Sequence, residues 1–149
     1  MADVTVATID EMESVYDGLM RRTRATLGVT AWGMQVLTLP PSWDGYPNHN
    51  HDGAAQDPNQ EEVYLPIQGS GVLEAGGETF ELRPGMMARV RPEQMRRIVP
   101  GSDGIRFLAL GGAPGAFTPA AWTELGAPPP GVRCVGVHDP RSHGLRDRR

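Results

Sequence analysis

Within the stretch "YPNHNHDGAAQDPNQEEVYLPIQGSG", from Tyr46 to Gly71, three residues are of types that bind metals or move protons. His49 and His51 stand two apart, and Glu62 follows after a loop, where an apolar run begins. On an extended chain alternate side chains share a face, so His49 and His51 can both point into an interior while Asn48 and Asn50 point out. Glu62 opens the next expected strand and can meet them there. Two imidazoles and a carboxylate form the donor set of a facial triad, which suits iron, manganese, nickel or zinc and leaves positions open to water or substrate. The same spacing also describes a pair of surface histidines in a Gly- and Asp-rich loop.

The elements that must position these residues are short strands, because Gly and Pro punctuate the chain at close intervals. The clearest pair is "GVLEAGGETFELRPG", where Gly76 and Gly77 supply the two positive-φ residues of a tight hairpin between 72–75 and 78–82. Further strands are expected at 31–39, 62–67, 87–91, 96–99 and 105–110, and Pro66 places its strand at an edge or a bulge. The set reads as a sandwich or barrel. Helix is expected only at the ends. Thr8 and Glu11 form a capping box ahead of Ile9, Met12 and Tyr16, and Thr118 with Pro119 opens a short helix closed by Gly126.

A chain of 149 residues suits one ordinary domain. Its net charge of −4, with both signs interspersed, gives no basic footprint for nucleic acid, and no apolar run reaches the roughly 20 residues of a membrane span. The expected partner is therefore a small molecule or a second copy of the chain. The acidic start "MADVTVATIDEMESVYDG" is read as cytoplasmic. The single Cys134 excludes an internal disulfide.

"HNH", then Glu62, then six residues to Gly69, then the hairpin and "LRPG", resembles the cupin superfamily, and in particular its small single-domain conserved-barrel proteins. The resemblance covers about residues 28–112 and implies an all-β double-stranded β-helix, a jelly-roll barrel with short terminal helices. A homodimer is expected, because open sheets of this kind have edge strands that need covering and Pro66 marks one such edge. The expected organisation is an N-terminal cap segment at 1–27, the barrel at 28–126 and a tail at 127–149. The resemblance implies His49, His51 and Glu62 as metal ligands. It also places the last metal-binding His of the second cupin motif at Arg96, so a ligand position holds a cation.

Two readings follow. In the first, His49, His51 and Glu62 hold a divalent metal (Fe, Mn, Ni or Zn) that coordinates a small molecule, with Arg96 or Arg97 clamping an anionic group. In the second, the pocket is metal-free, Glu62 pairs with Arg96, and the protein binds or senses a ligand. Tyr64 should share the inward face of Glu62, and Gln35 is a further candidate lining residue. Arg89 and Arg91 read as a solvated face, and Trp32, Met34, Phe80, Met86 and Phe107 as core. No catalytic residue is assigned, because cupins include both enzymes and binders.

Overall fold

In the computed structural model, residues 2–53 and 57–116 are described, and they belong to one unit spanning Met1–Phe117. The helix expected after Thr118 and the tail with Cys134 lie outside the described residues. The elements are β1 (Ser14–Val15), β2 (Met20–Arg21), α1 (Thr23–Leu27), β3 (Gly33–Leu39), β4 (Glu61–Ala75), β5 (Glu78–Leu82), β6 (Ala88–Val90) and β7 (Arg96–Gly112), preceded by a 3-10 turn at Ile9–Glu11. Every pairing is antiparallel, in the order β1-β2-β3-β7-β4-β5, with β6 also on β4. This is the all-β jelly-roll architecture. Among the described residues no helix is long and apolar enough to cross a membrane.

The Gly76-Gly77 hairpin forms as its sequence dictates, with φ of 61° and 81° at the two glycines and Leu73 opposite Phe80. Elsewhere the strands are longer than the punctuation suggests. The expected strands 62–67 and 72–75 are one strand, β4, and those at 96–99 and 105–110 are one strand, β7. Glycine and proline bend these strands without ending them. Gly69 and Gly104 both have positive φ (70° and 71°), and a Cβ on Gly69 would stand 2.2 Å from the Gly104 carbonyl oxygen, so only glycine fits this close crossing. Pro66 lies at a register shift between Pro66 and Gln68 and not at an edge, since β4 pairs with β7 on one side and with β5 and β6 on the other.

The bulge at Ile67 decides which residues point inward. Before it, Glu62 and Tyr64 lie across from Gly111 and Ala109; after it, Leu73 and Ala75 lie across from Ile98 and Arg96. Residues directly opposite on antiparallel strands share a face. The inward row therefore changes from even to odd numbers along β4 while both sets meet one core, built on Leu39, Tyr64, Leu73, Leu82, Val90, Ile98, Ile105 and Phe107. Ile67 itself is exposed.

The N-terminal expectation is corrected. Thr8 makes no side-chain cap bond, and the helical turn stops after three residues. Tyr16 and Asp17 take φ of 53° and 54° and Gly18 takes 89°, so the chain reverses there into β1 and β2 and leaves Tyr16 exposed. The helix that does form, α1, is closed by Gly28 in the left-handed region.

Candidate metal and ligand site

His49 and His51 reach the barrel from an irregular segment. His49 exchanges backbone hydrogen bonds with Arg96 (His49 N to Arg96 O 3.0 Å, Arg96 N to His49 O 2.9 Å), and His51 N donates to Pro92 O at 2.8 Å. The segment is thus laid alongside the start of β7. His49, His51 and Glu62 each present one donor atom, all within 4.8 Å of one another, so the three could hold a metal ion. His51 Nε2 lies 3.9 Å from Glu62 Oε2.

Arg96 faces inward and Arg97 outward, where Arg97 Nε donates to Glu74 Oε2 at 2.7 Å. Arg96 is 0% exposed. Its Nη2 donates to Glu62 Oε2 at 2.6 Å, its Nε to the Tyr64 hydroxyl at 3.2 Å, and its Nη1 to the carbonyls of Gln94 (3.3 Å) and His49 (3.5 Å). Tyr64 in turn donates to Glu62 Oε2. One carboxylate oxygen therefore takes both a guanidinium and a phenol. Burial of a charge on this scale is tolerated only when it is paired and hydrogen-bonded, as it is here.

The environment also fixes proton positions. Pro47 O lies 3.0 Å from His49 Nδ1. A carbonyl can only accept, so Nδ1 is the donor of this contact. Burial holds the His51 imidazole below its usual range, helped by the charges of Arg96 and His49 and opposed by Glu62. His51 Nδ1 is buried with no hydrogen-bond partner among the described residues. Burial also raises the phenols of Tyr46 and Tyr64, reinforced by Glu62, so both stay protonated.

Tyr46 is a site residue that the sequence reading did not single out. Its ring lies edge-on to His49 at 5.7 Å and to Phe107 at 6.3 Å, tying the histidine segment to the core. Its one visible signal is an aromatic residue three positions ahead of His49. Gln35 does face inward, in one row with Ala109 and Tyr64, but its Oε1 accepts from Thr23 N at 3.0 Å and so anchors α1. Trp32, expected in the core, is 53% exposed. It lines a cleft of about 500 Å³ together with Arg24, Met34, Gln35, Gln60 and Glu62. Gly33 and Gly111 stand in the row of Glu62, and the room beside them is taken by the Gln60 side chain, whose Oε1 would stand 2.2 Å from a Cβ on Gly111.

The metal ligands fit only in part. A site with donors this far apart must contract to reach the roughly 2.0–2.2 Å bonds of zinc to nitrogen or oxygen. A guanidinium about 4 Å from a dication, at an effective dielectric near 20, opposes it by about 8 kcal/mol. That offsets half or more of the roughly 10–16 kcal/mol that a structural zinc supplies.

Comparison with known proteins agrees with this architecture. The solved structures that resemble it include a cupin protein from Bacteroides fragilis (TM-score 0.60, 21% identity, 86% of this chain and 99% of that one). A protein from Photorhabdus luminescens (TM-score 0.58, 16% identity, 78% and 92%) is also similar. A third is a sugar phosphate isomerase of the cupin superfamily from Silicibacter pomeroyi (TM-score 0.56, 18% identity, 72% and 74%). At these identities the likeness is one of fold. No curated protein matches in sequence. Residues 32–147 match the family described as the AraC-like ligand binding domain. With its jelly-roll fold shared with solved cupin structures, the chain belongs to the AraC-like ligand-binding domain family.

Proposed function

We propose that the protein is a metal-free ligand-binding or sensing cupin in which Arg96 stands where a fourth metal ligand would be. The observation that carries this reading is the Arg96 Nη2 to Glu62 Oε2 contact of 2.6 Å at a fully buried guanidinium. Glu62 is already neutralised and hydrogen-bonded, so the site is assembled without an ion. Membership of a ligand-binding domain family supports binding as the activity. Elemental analysis of untagged protein, with melting curves in the presence and absence of a chelator, tests the reading. It expects substoichiometric metal and an unchanged melting temperature; one tightly bound ion per chain would overturn it.

The second reading is a divalent ion held by His49, His51 and Glu62, and the convergence of their donor atoms is what favours it. Iron, manganese, nickel and zinc all suit such a set. In either case we take the protein to be a homodimer, because β5 leaves one ladder edge without a strand partner among the described residues. Sedimentation at micromolar concentration checks this.

A further inference from the structure

Resting on the ligand-binding reading, we infer that Gln60 is a side-chain gate: its carboxamide fills a slot beside Glu62, and a ligand settles against that carboxylate only by displacing it. The first observation is a pair of glycines that the backbone does not call for. Gly33 and Gly111 stand opposite each other on β3 and β7, and neither has a positive φ. Glycine weakens a strand interior and is kept there where another group must approach closely. That group is Gln60. Its Oε1 would stand 2.2 Å from a Cβ on Gly111 and 3.3 Å from one on Gly33, so a side chain at 111 and the amide of Gln60 cannot share this space.

The slot adjoins the polar cluster. Glu62 stands opposite Gly111 in the same row, and its Cγ would lie 3.8 Å from the same Cβ. Gln60, Gly33, Gly111 and Glu62 all line the cleft of about 500 Å³ beside Trp32. With the amide in place, the Glu62 side chain is only 15% exposed.

Little holds the amide there. Its Nε2 donates to Asp57 Oδ1 at 3.3 Å, a long bond at an exposed position. Arg96, by contrast, is fixed by Tyr64, Glu62, Gln94 and His49. Of the two side chains beside Glu62, it is therefore Gln60 that can change rotamer. Its departure breaks the link to Asp57, in a segment where Asp57 and Asn59 take φ of 50° and 57° and Asn59 N donates to His51 O at 2.7 Å. Entry of a ligand is thereby coupled to the residues that lead from His51 into β4.

The test refills the slot with the missing piece. Gln60→Ala removes the part of the side chain that acetamide matches, and acetamide binding to the full chain is followed by ligand-observed NMR. Apparent affinity falls with the fraction of molecules whose slot is open, so Gln60→Ala should bind acetamide about tenfold or more tightly than the parent. Adding Gly111→Ala to that variant places a methyl in the slot and should abolish the binding. The double variant should melt no lower than Gln60→Ala, because the new Cβ collides with Gln60 alone and meets Glu62 Cγ at an ordinary 3.8 Å. A lower melting temperature would show that something besides Gln60 fills the slot and would overturn the gate. Equal binding to the parent and Gln60→Ala, binding to neither, or binding that survives Gly111→Ala would overturn it as well. All of these outcomes leave the ligand-binding reading intact, since that reading stands or falls on the metal analysis.

Discussion

Arg96 and Glu62 are joined inside the barrel by a 2.6 Å charge-assisted hydrogen bond, with Arg96 paired to Ala75 on one flank and bridged to His49 on the other. Replacing Arg96 by Met keeps length and removes charge. It should destabilise the fold by about 3–5 kcal/mol, because Glu62 is left buried without its partner. The double change Arg96→Met with Glu62→Leu should recover most of that loss. Denaturant midpoints of the three variants provide the comparison, and a single variant as stable as the parent would contradict it.

Arg96→His addresses the metal directly. It removes the opposing cation and adds an imidazole to His49, His51 and Glu62, so zinc or manganese affinity should rise at least a hundredfold over the parent, well within the about 8 kcal/mol of repulsion relieved. Calorimetric titration of both proteins measures this. Equal affinities would show that the guanidinium does not exclude the ion.

The depressed His51 imidazole gives stability a pH dependence of known sign. Its folded pKa lies below the unfolded value of about 6.5, so between the two the unfolded chain binds more protons and stability rises with pH. The contribution is complete above about pH 6.5 and is lost as pH falls toward the folded value. Unfolding free energies measured from pH 7 to pH 5 should decline, and His51→Gln should flatten that decline.

Two glycines separate steric clash from backbone strain. Gly69→Ala should cost well over 2 kcal/mol, because φ of 70° is strained for alanine and its Cβ would collide with Gly104 O. Gly77→Ala has φ of 81° but open space around the new methyl, so it should cost only about 1–2 kcal/mol. Melting temperatures of the two variants should rank in that order.

Much of this was legible in the chain. The Gly76-Gly77 turn, the alternation around it and the His49, His51, Glu62 pattern are local features, and local rules found them. The lengths of β4 and β7 were not legible, because "PGSDG" at 100–104 reads as a break. Only the partner strand shows it to be an irregularity within a continuous ladder. The N-terminal helix failed because left-handed backbone at Tyr16 and Asp17 outweighed the helical spacing of Ile9, Met12 and Tyr16. The inward direction of Arg96 depends on two irregularities of the β4–β7 ladder, the bulge at Ile67 and the shift between Gly69 and Gly71 opposite residues 101–104, and a shift of one reverses every face. Tyr46 reaches His49 through the fold of an irregular loop, which no periodicity describes.

The long β4 and β7 pair bears on how the molecule comes to exist. Its innermost partners, Ala75 and Arg96, are close in sequence, and its outermost, Glu61 and Gly112, are much farther apart. Loop closure therefore favours the Gly76-Gly77 end, with the ladder extending outward past the Gly69 crossing and closing last at Glu62 and Gly111. Refolding should be slow for the chain length, in milliseconds to seconds, as in other β proteins dominated by distant pairings. The pocket is then completed late, and Gly69→Ala should slow folding less than it speeds unfolding, as stopped-flow measurement can show.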